Sequence, residues 1–201
     1  MKLDSIYYSN RDVLFLARDL LGKVLVTQIN GVITSGIITE TEAYGGVGDK
    51  ASHAYGGRRT QRTSVMYAPG GVSYVYLCYG IHYLFNVVSS VRDEPHAVLV
   101  RAVEPLAGKQ FIAQRRNRGT DNASVSTGPG SVTKALGIDL GFNGKDLTGN
   151  QVWIEDQGFR YKDADIAAVP RIGVAYAAEH ALLPWRFFVK GNKYVSKPNK
   201  V

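Results

Sequence analysis

Apolar residues recur at Val13, Leu16, Ala17 and Leu20, a spacing that lays one stripe along a helix. Ser9 and Asn10 offer N-cap chemistry before the stripe and Gly22 a stop after it, so the pattern predicts a helix over 11–21. From residue 23 the pattern changes: 23–29 and 32–41 read as strands, joined by Asn30-Gly31, the dipeptide that suits a two-residue hairpin turn. A polar, Gly-rich stretch then runs from Gly45 to Gly57 and on through several arginines to Pro69-Gly70-Gly71. A connection that long in a compact chain marks either a functional or a disordered segment.

Three further strand-like runs follow, at 72–79, 83–89 and 97–103. Pro105 suits the first turn of a helix reaching about Arg116. Residues 117–130 are polar and Gly-rich, a short helix is predicted over 131–136 with a turn near Gly137, and strand-like runs recur at 151–155, 171–175 and 185–189. Strands dominate and alternate little with helices, which predicts an α+β chain: a curved, largely antiparallel sheet flanked by short helices. With no internal repeat and no low-complexity linker, residues 1–201 read as a single domain.

Composition narrows the choice of chemistry. Hydrophobic residues make up 45% and charged residues 20% of 201, so a core can form without covalent staples. The single cysteine, Cys78, excludes an internal disulfide, and His53, His82, His96 and His180 are too scattered for zinc or iron–sulfur spacing. No metal is expected, although a site built only from carboxylates stays open. No apolar run approaches the roughly 20 residues of a membrane span, and Met1-Lys2-Leu3-Asp4-Ser5-Ile6 lacks the apolar core of a signal peptide. A cytoplasmic location without membrane attachment is the expectation. The net charge of +7 is compatible with nucleic-acid binding. Arg58, Arg59 and Arg62 form one basic cluster and Arg115, Arg116 and Arg118 another; either fits a phosphate-binding surface or an ordinary solvated face.

Two features carry candidate chemistry. Glu40-Thr41-Glu42-Ala43-Tyr44 ends a strand, and a period of two places Glu40, Glu42 and Tyr44 on one face. The two carboxylates would stand roughly 6–7 Å apart at Cα, within reach of paired-carboxylate hydrolysis or simply exposed on a strand. In Ser73-Tyr74-Val75-Tyr76-Leu77-Cys78-Tyr79-Gly80, Tyr74 and Tyr76 share a face while Tyr79 ends the run against Gly80. Such rings either stack on bases or simply pack within a sheet.

Taken in order, these blocks resemble the alkyladenine (3-methyladenine) DNA glycosylase family. The resemblance runs through Glu40 to Tyr44, Asp49-Lys50-Ala51-Ser52-His53, Gly56-Gly57-Arg58-Arg59-Thr60-Gln61-Arg62, Tyr74 to Gly80 and Phe85-Asn86. It continues through the block from Val98 to Pro105, then Gly128-Pro129-Gly130, Arg171-Ile172-Gly173-Val174 and Pro184-Trp185-Arg186-Phe187. It implies that Glu42 is the general base for a water attacking C1′ of the sugar. It places Tyr44 and His53 on one side of a base pocket and Tyr76 on the other, with Asn86 screening purines at their 2-position. It implies that Tyr79 intercalates where a nucleotide has flipped out, that Arg101 holds a phosphate, and that Arg58 and Arg62 contact the DNA backbone. The partner implied is double-stranded DNA containing damaged purines, met by a monomer at the bacterial nucleoid. The reaction needs no cofactor, and water rather than a lysine such as Lys50 is the nucleophile, so no strand cleavage follows. The chain departs from the family at Ser131-Val132, where Lys-Leu is usual after Gly-Pro-Gly.

Two rivals remain at this point. A non-catalytic nucleic-acid binder would use the same arginines and tyrosines, but it gives no reason to keep Glu42 near phosphates that it repels. A carbohydrate hydrolase would use Glu40 and Glu42 but leaves the basic loop unexplained. Salt discriminates, because phosphate contacts weaken steeply as ionic strength rises and sugar binding does not.

Overall fold

The computed structural model describes residues 1–196. A short helix α1 (Ser5–Tyr8) precedes α2 (Val13–Asp19). The cap of α2 is Asp12, whose carboxylate accepts from Leu14 N at 3.0 Å and Phe15 N at 2.9 Å. Ser9 and Asn10 do not cap it: Ser9 closes α1, and Asn10 accepts from the Asp12 amide. The predicted stripe is real, since Val13, Leu16, Ala17 and Leu20 are all buried in the main core.

The strands β1 (Val24–Ile29) and β2 (Val32–Tyr44) form the expected hairpin, with Asn30 and Gly31 at φ of 49° and 79°. That pair of positive φ values is the signature of the turn whose twist matches its strands. Then come β3 (Ser73–Cys78), β4 (His82–Ser89), β5 (His96–Pro105), α3 (Lys109–Arg116), α4 (Pro129–Leu136), β6 (Val152–Glu155), β7 (Ile166–Val169) and β8 (Arg186–Val189). The sheet order is β3-β4-β5-β2-β1-β6, with β8 joining β2 and β7, and the pairings are antiparallel.

Strand β2 is the spine of the molecule. Its first half pairs with β1 and its end with β8, while β5 runs along its other edge. Where the neighbour changes, the β2–β5 register shifts on either side of Glu40; such a bulge bends a strand and re-aims its side chains. Thr41 donates to Ala17 O of α2 at 2.7 Å and Ala43 joins the core. Glu40 and Glu42 are also fully buried, but they are held by polar partners on the other side.

Two further sequence expectations change. Pro105 does not open a helix; it closes β5, paired with Gly36. Helix α3 starts after Gly108, which sits at φ of 65° and so close to Ile33 O that a Cβ would lie 2.3 Å away. Residues 171–175 are not a strand. Pro170 ends β7, Arg171 is held by side-chain bonds, Gly173 has a φ of 78°, and the Ile172 amide goes to a carboxylate instead of a ladder. The strand lies just upstream, as β7.

The Gly-rich stretch after β2 is ordered. Three short 3-10 turns punctuate it at Gly46–Gly48, Tyr55–Gly57 and Ser64–Tyr67. Ala54, Met66 and Tyr67 pack in a second, smaller core beneath Tyr74 and Tyr76. Arg115 and Arg116 of the second cluster turn inward, Arg115 donating to Thr34 Oγ1 and Ala135 O and Arg116 to Ser124 O and Ser131 Oγ, while Arg118 stays exposed and donates to Ser124 Oγ. Together they brace α3 against α4 and the turn between them.

Candidate active site

The end of β2 forms one wall of a cavity of about 620 Å³. Glu42 lies there with no exposed surface, and its carboxylate is met from three directions. Oε1 accepts from Ile172 N at 2.8 Å and lies 3.2 Å from Arg101 Nη1, while Oε2 accepts from Tyr44 hydroxyl at 2.8 Å. A buried carboxylate without such donors would be costly to ionise. Burial works against the Arg101 charge, but Glu42 and Glu40 outweigh it and raise its pKa above the ordinary value. Burial, then the Glu42 charge, hold the Tyr44 phenol well above its usual pKa, so it stays a donor.

Glu40 belongs to the same charge cluster with a different lot. It accepts from Arg101 Nε at 3.0 Å, Arg186 Nη1 at 2.9 Å, Ser196 N at 2.7 Å and Ser196 Oγ at 2.9 Å. Unlike Glu42, Glu40 does not line the cavity, which removes the acid half of a paired-carboxylate mechanism and with it the basis for a carbohydrate hydrolase. Arg101 lines the cavity, yet its guanidinium is engaged by Glu40, Glu42 and Ser196. Its first task in this structure is to hold the two carboxylates; a phosphate contact would come in addition.

Across the cavity stands an aromatic group. Tyr74 and Tyr76 project from β3 with ring centroids 5.2 Å apart, and His53 meets Tyr76 edge-on at 4.7 Å. His53 Nδ1 and the Tyr74 hydroxyl are hydrogen-bonded at 2.9 Å. Burial, then the charges of Arg62 and Arg58, push His53 down to about 4, so its ring is neutral near pH 7. His53 therefore packs against Tyr76 here, whereas the sequence reading places the two on opposite sides of a base. Asn86 sits on β4, buried, with its amide donating to Tyr74 O at 3.0 Å, and it lines a small recess behind these rings. Arg62 is exposed but lies over Tyr76, its guanidinium carbon 4.8 Å from the ring centroid. Arg58 is exposed nearby, and Arg59 is paired with Asp93 at 2.9 Å.

At the mouth of the cavity the β3–β4 turn carries Tyr79, 88% exposed at a φ of 51°, followed by Gly80 at a φ of 73°. A tyrosine in the left-handed region is uncommon, and such strain gathers at functional sites. Ile81, 72% exposed, stands beside it. The sequence reading missed Ile81, although an apolar residue inside a turn is the signal that could have found it. It also gave no role to two residues of the cavity wall: Ile172, inside the run read as a strand, and Tyr176, just after it. At the start of α4, where Ser131-Val132 departs from the usual Lys-Leu, Val132 is core and Ser131 Oγ accepts from Arg116 at 3.1 Å, so a cation reaches this helix end from α3. Among the described residues, no group of three His, Cys, Asp or Glu side chains is placed to hold a metal ion, and no helix is long and apolar enough to cross a membrane.

A cavity lined by tyrosines beside a buried carboxylate, with an exposed aromatic turn at its mouth, is an arrangement that suits the class of base-excising hydrolases. The comparisons agree. The family model described as Methylpurine-DNA glycosylase (MPG) matches residues 7–193. A protein of Chlamydia felis named "Putative 3-methyladenine DNA glycosylase" is 47% identical over 192 residues, covering 95% of this chain and 97% of that protein. Proteins of the same name from Desulfitobacterium hafniense and Clostridium perfringens are each 43% identical, over 196 residues (94% of this chain, 96% of that protein) and 205 residues (98% and 100%). The chain belongs to the methylpurine-DNA glycosylase family, enzymes of DNA repair whose substrate is DNA.

Proposed function

We propose that the chain acts as one monomeric glycosylase domain that flips an alkylated or deaminated purine, of the 3-methyladenine or hypoxanthine type, out of duplex DNA. It then hydrolyses the N-glycosidic bond with a water activated by Glu42. The observation that carries this reading is Glu42 itself, buried at the cavity wall and held by Ile172, Tyr44 and Arg101. Donors reach both of its oxygens, so negative charge there is met by two hydrogen bonds and the Arg101 cation. An anion at that place stabilises the positive charge that grows on the sugar as the bond breaks and accepts the proton of the attacking water.

The other residues fall into place around that step. Tyr79, with Ile81, fills the gap left by the extruded nucleotide and offsets the lost stacking. Tyr44 and Tyr76 take the purine by its π-faces, where a cationic alkylated ring gains about 1–2 kcal/mol over a neutral one. His53 borders the same space, and Asn86 at the recess disfavours a 2-amino group. Arg58, Arg62 and Arg101 meet phosphates, with Arg62 leaving the face of Tyr76 to do so. The DNA substrate places this work in the cytoplasm of a bacterium, at the nucleoid.

The reaction is monofunctional. Lys50, the lysine nearest the pocket residues in sequence, is ion-paired with Glu179 at 2.6 Å, and among the described residues no lysine lines the cavity. The test is a duplex carrying one hypoxanthine or one 7-methylguanine. Expected are base release by the wild type, strand breaks only after alkali, no protein–DNA adduct on borohydride treatment, and no release by Glu42→Gln. An adduct, or release by the variant, would overturn the mechanism.

A further inference from the structure

Glu42 and Tyr44 both lean on a pair of residues that do not line the cavity, Arg171 and Asp49. Arg171 is buried with its guanidinium carbon 4.9 Å from the centroid of the Tyr44 ring and 5.0 Å from that of Trp185. It donates to both oxygens of the buried Asp49, with Nη2 to Oδ1 at 2.8 Å, and to Ala43 O at 2.8 Å. Asp49 also accepts from Gly45 N at 3.1 Å and Ala51 N at 3.0 Å. Burial alone would raise the Asp49 carboxyl, but the bonds from Arg171 and Ala51 outweigh it and hold the pKa below its ordinary value.

The pair therefore clamps the end of β2 on both sides of Glu42's neighbour Tyr44, at Ala43 and Gly45. On the other strand of chain, the residue directly after Arg171 supplies the Ile172 N–H that meets Glu42 Oε1 at 2.8 Å. Two of the three groups around the carboxylate, the Tyr44 hydroxyl and the Ile172 amide, are thus set by one buried ion pair. Buried pairs add little net stability compared with apolar packing, and their best-attested use is to fix a register. Arginine suits this place because its planar fork donates to several acceptors at once while lying close to aromatic rings, and a lysine ammonium lacks that fork.

We propose that Arg171 and Asp49 are positioning residues for the reaction, holding the Glu42 carboxylate and the Tyr44 ring in their working arrangement. This inference rests on the reading of Glu42 as the base. It requires that disturbing the pair slows base release far more than it weakens DNA binding, since the pair touches none of the exposed DNA-facing groups.

The experiment uses Arg171→Lys in the full chain, with single-turnover release of hypoxanthine and the Kd for the same lesion duplex measured side by side. Expected are a rate at least 10-fold below wild type and a Kd within about threefold. A Glu42→Gln, Arg171→Lys double variant should be no slower than Glu42→Gln alone, because a residue acting through Glu42 has nothing left to position. A rate within twofold of wild type overturns the proposal, as does a loss of affinity as large as the loss of rate. If Arg171→Lys does not fold, Trp185→Leu, which removes one of the rings close to the guanidinium, carries the same comparison with the same outcomes. An active Glu42→Gln would sink the parent reading, whereas an inactive Glu42→Gln beside a normal Arg171→Lys would sink this inference alone.

Discussion

The wall around Glu42 and the turn around Tyr79 face the same cavity and are built in opposite ways. The wall is buried and saturated: Glu40, Glu42, Arg101 and Arg186 are buried together, and each carboxylate oxygen has a donor. The turn is exposed and under-packed, with Tyr79 in a backbone conformation that side chains seldom adopt. Chemistry that depends on a fixed charge gains from a rigid, desolvated setting, where donors need not reorganise as the reaction proceeds. A wedge that enters a base stack gains from standing free, because it loses little on leaving water and makes its contacts only in the complex. The two regions should therefore fail in different currencies: the wall in rate and stability, the turn in affinity.

The sharpest break on the wall side is Glu40→Gln. It leaves Arg101 and Arg186 without their shared carboxylate, and losing one partner of a buried pair costs about 3–5 kcal/mol. Urea unfolding should show that loss through a lower midpoint with an unchanged slope; a midpoint like that of wild type would mean the cluster is not the stabilising unit described. On the turn side, Tyr79→Ser should weaken binding to a lesion duplex by about 1–3 kcal/mol and leave the unfolding midpoint alone. Unchanged affinity would remove Tyr79 from the interface. Ile81→Ser should act in the same direction and more weakly, since its side chain offers no ring to stack.

The smallest expected effect concerns pH. His53 is held at about 4 against an ordinary 6.5, so between those values the unfolded chain takes up a proton that the folded chain refuses. Its contribution is fully present above about pH 6.5 and is lost as pH falls toward 4. Replacing His53 with Gln should flatten that part of the stability–pH curve, which thermal unfolding in a buffer series would reveal. An identical slope in the variant would show that another group carries the titration.

The contrast between wall and turn also explains how much was legible beforehand. Local signals survived: the stripe of α2, the Asn30-Gly31 turn, and the shared face that puts the Tyr44 hydroxyl on Glu42. The turn at Tyr79 was readable because a hairpin is a local object, although Ile81 was passed over. The wall was readable only in part, because its partners come from distant segments. Nothing near Glu42 in sequence announces the Ile172 amide, and the β-branched residues around Arg171 imitate a strand until Asp49 is placed opposite. Arg101 was picked out for a phosphate, yet its donors go first to Glu40 and Glu42. The Gly-rich stretch after β2 read as either functional or disordered, and what orders it is tertiary burial of Met66 and Tyr67.

The most direct test places Glu42→Gln beside Tyr79→Ser on one hypoxanthine duplex, with single-turnover release and Kd measured for both. The prediction is a rate loss of about 10²–10⁴-fold for Glu42→Gln at essentially wild-type affinity, and a loss of affinity for Tyr79→Ser. Release by Glu42→Gln at the wild-type rate would contradict the account, because the base would then be something other than the carboxylate at the end of β2.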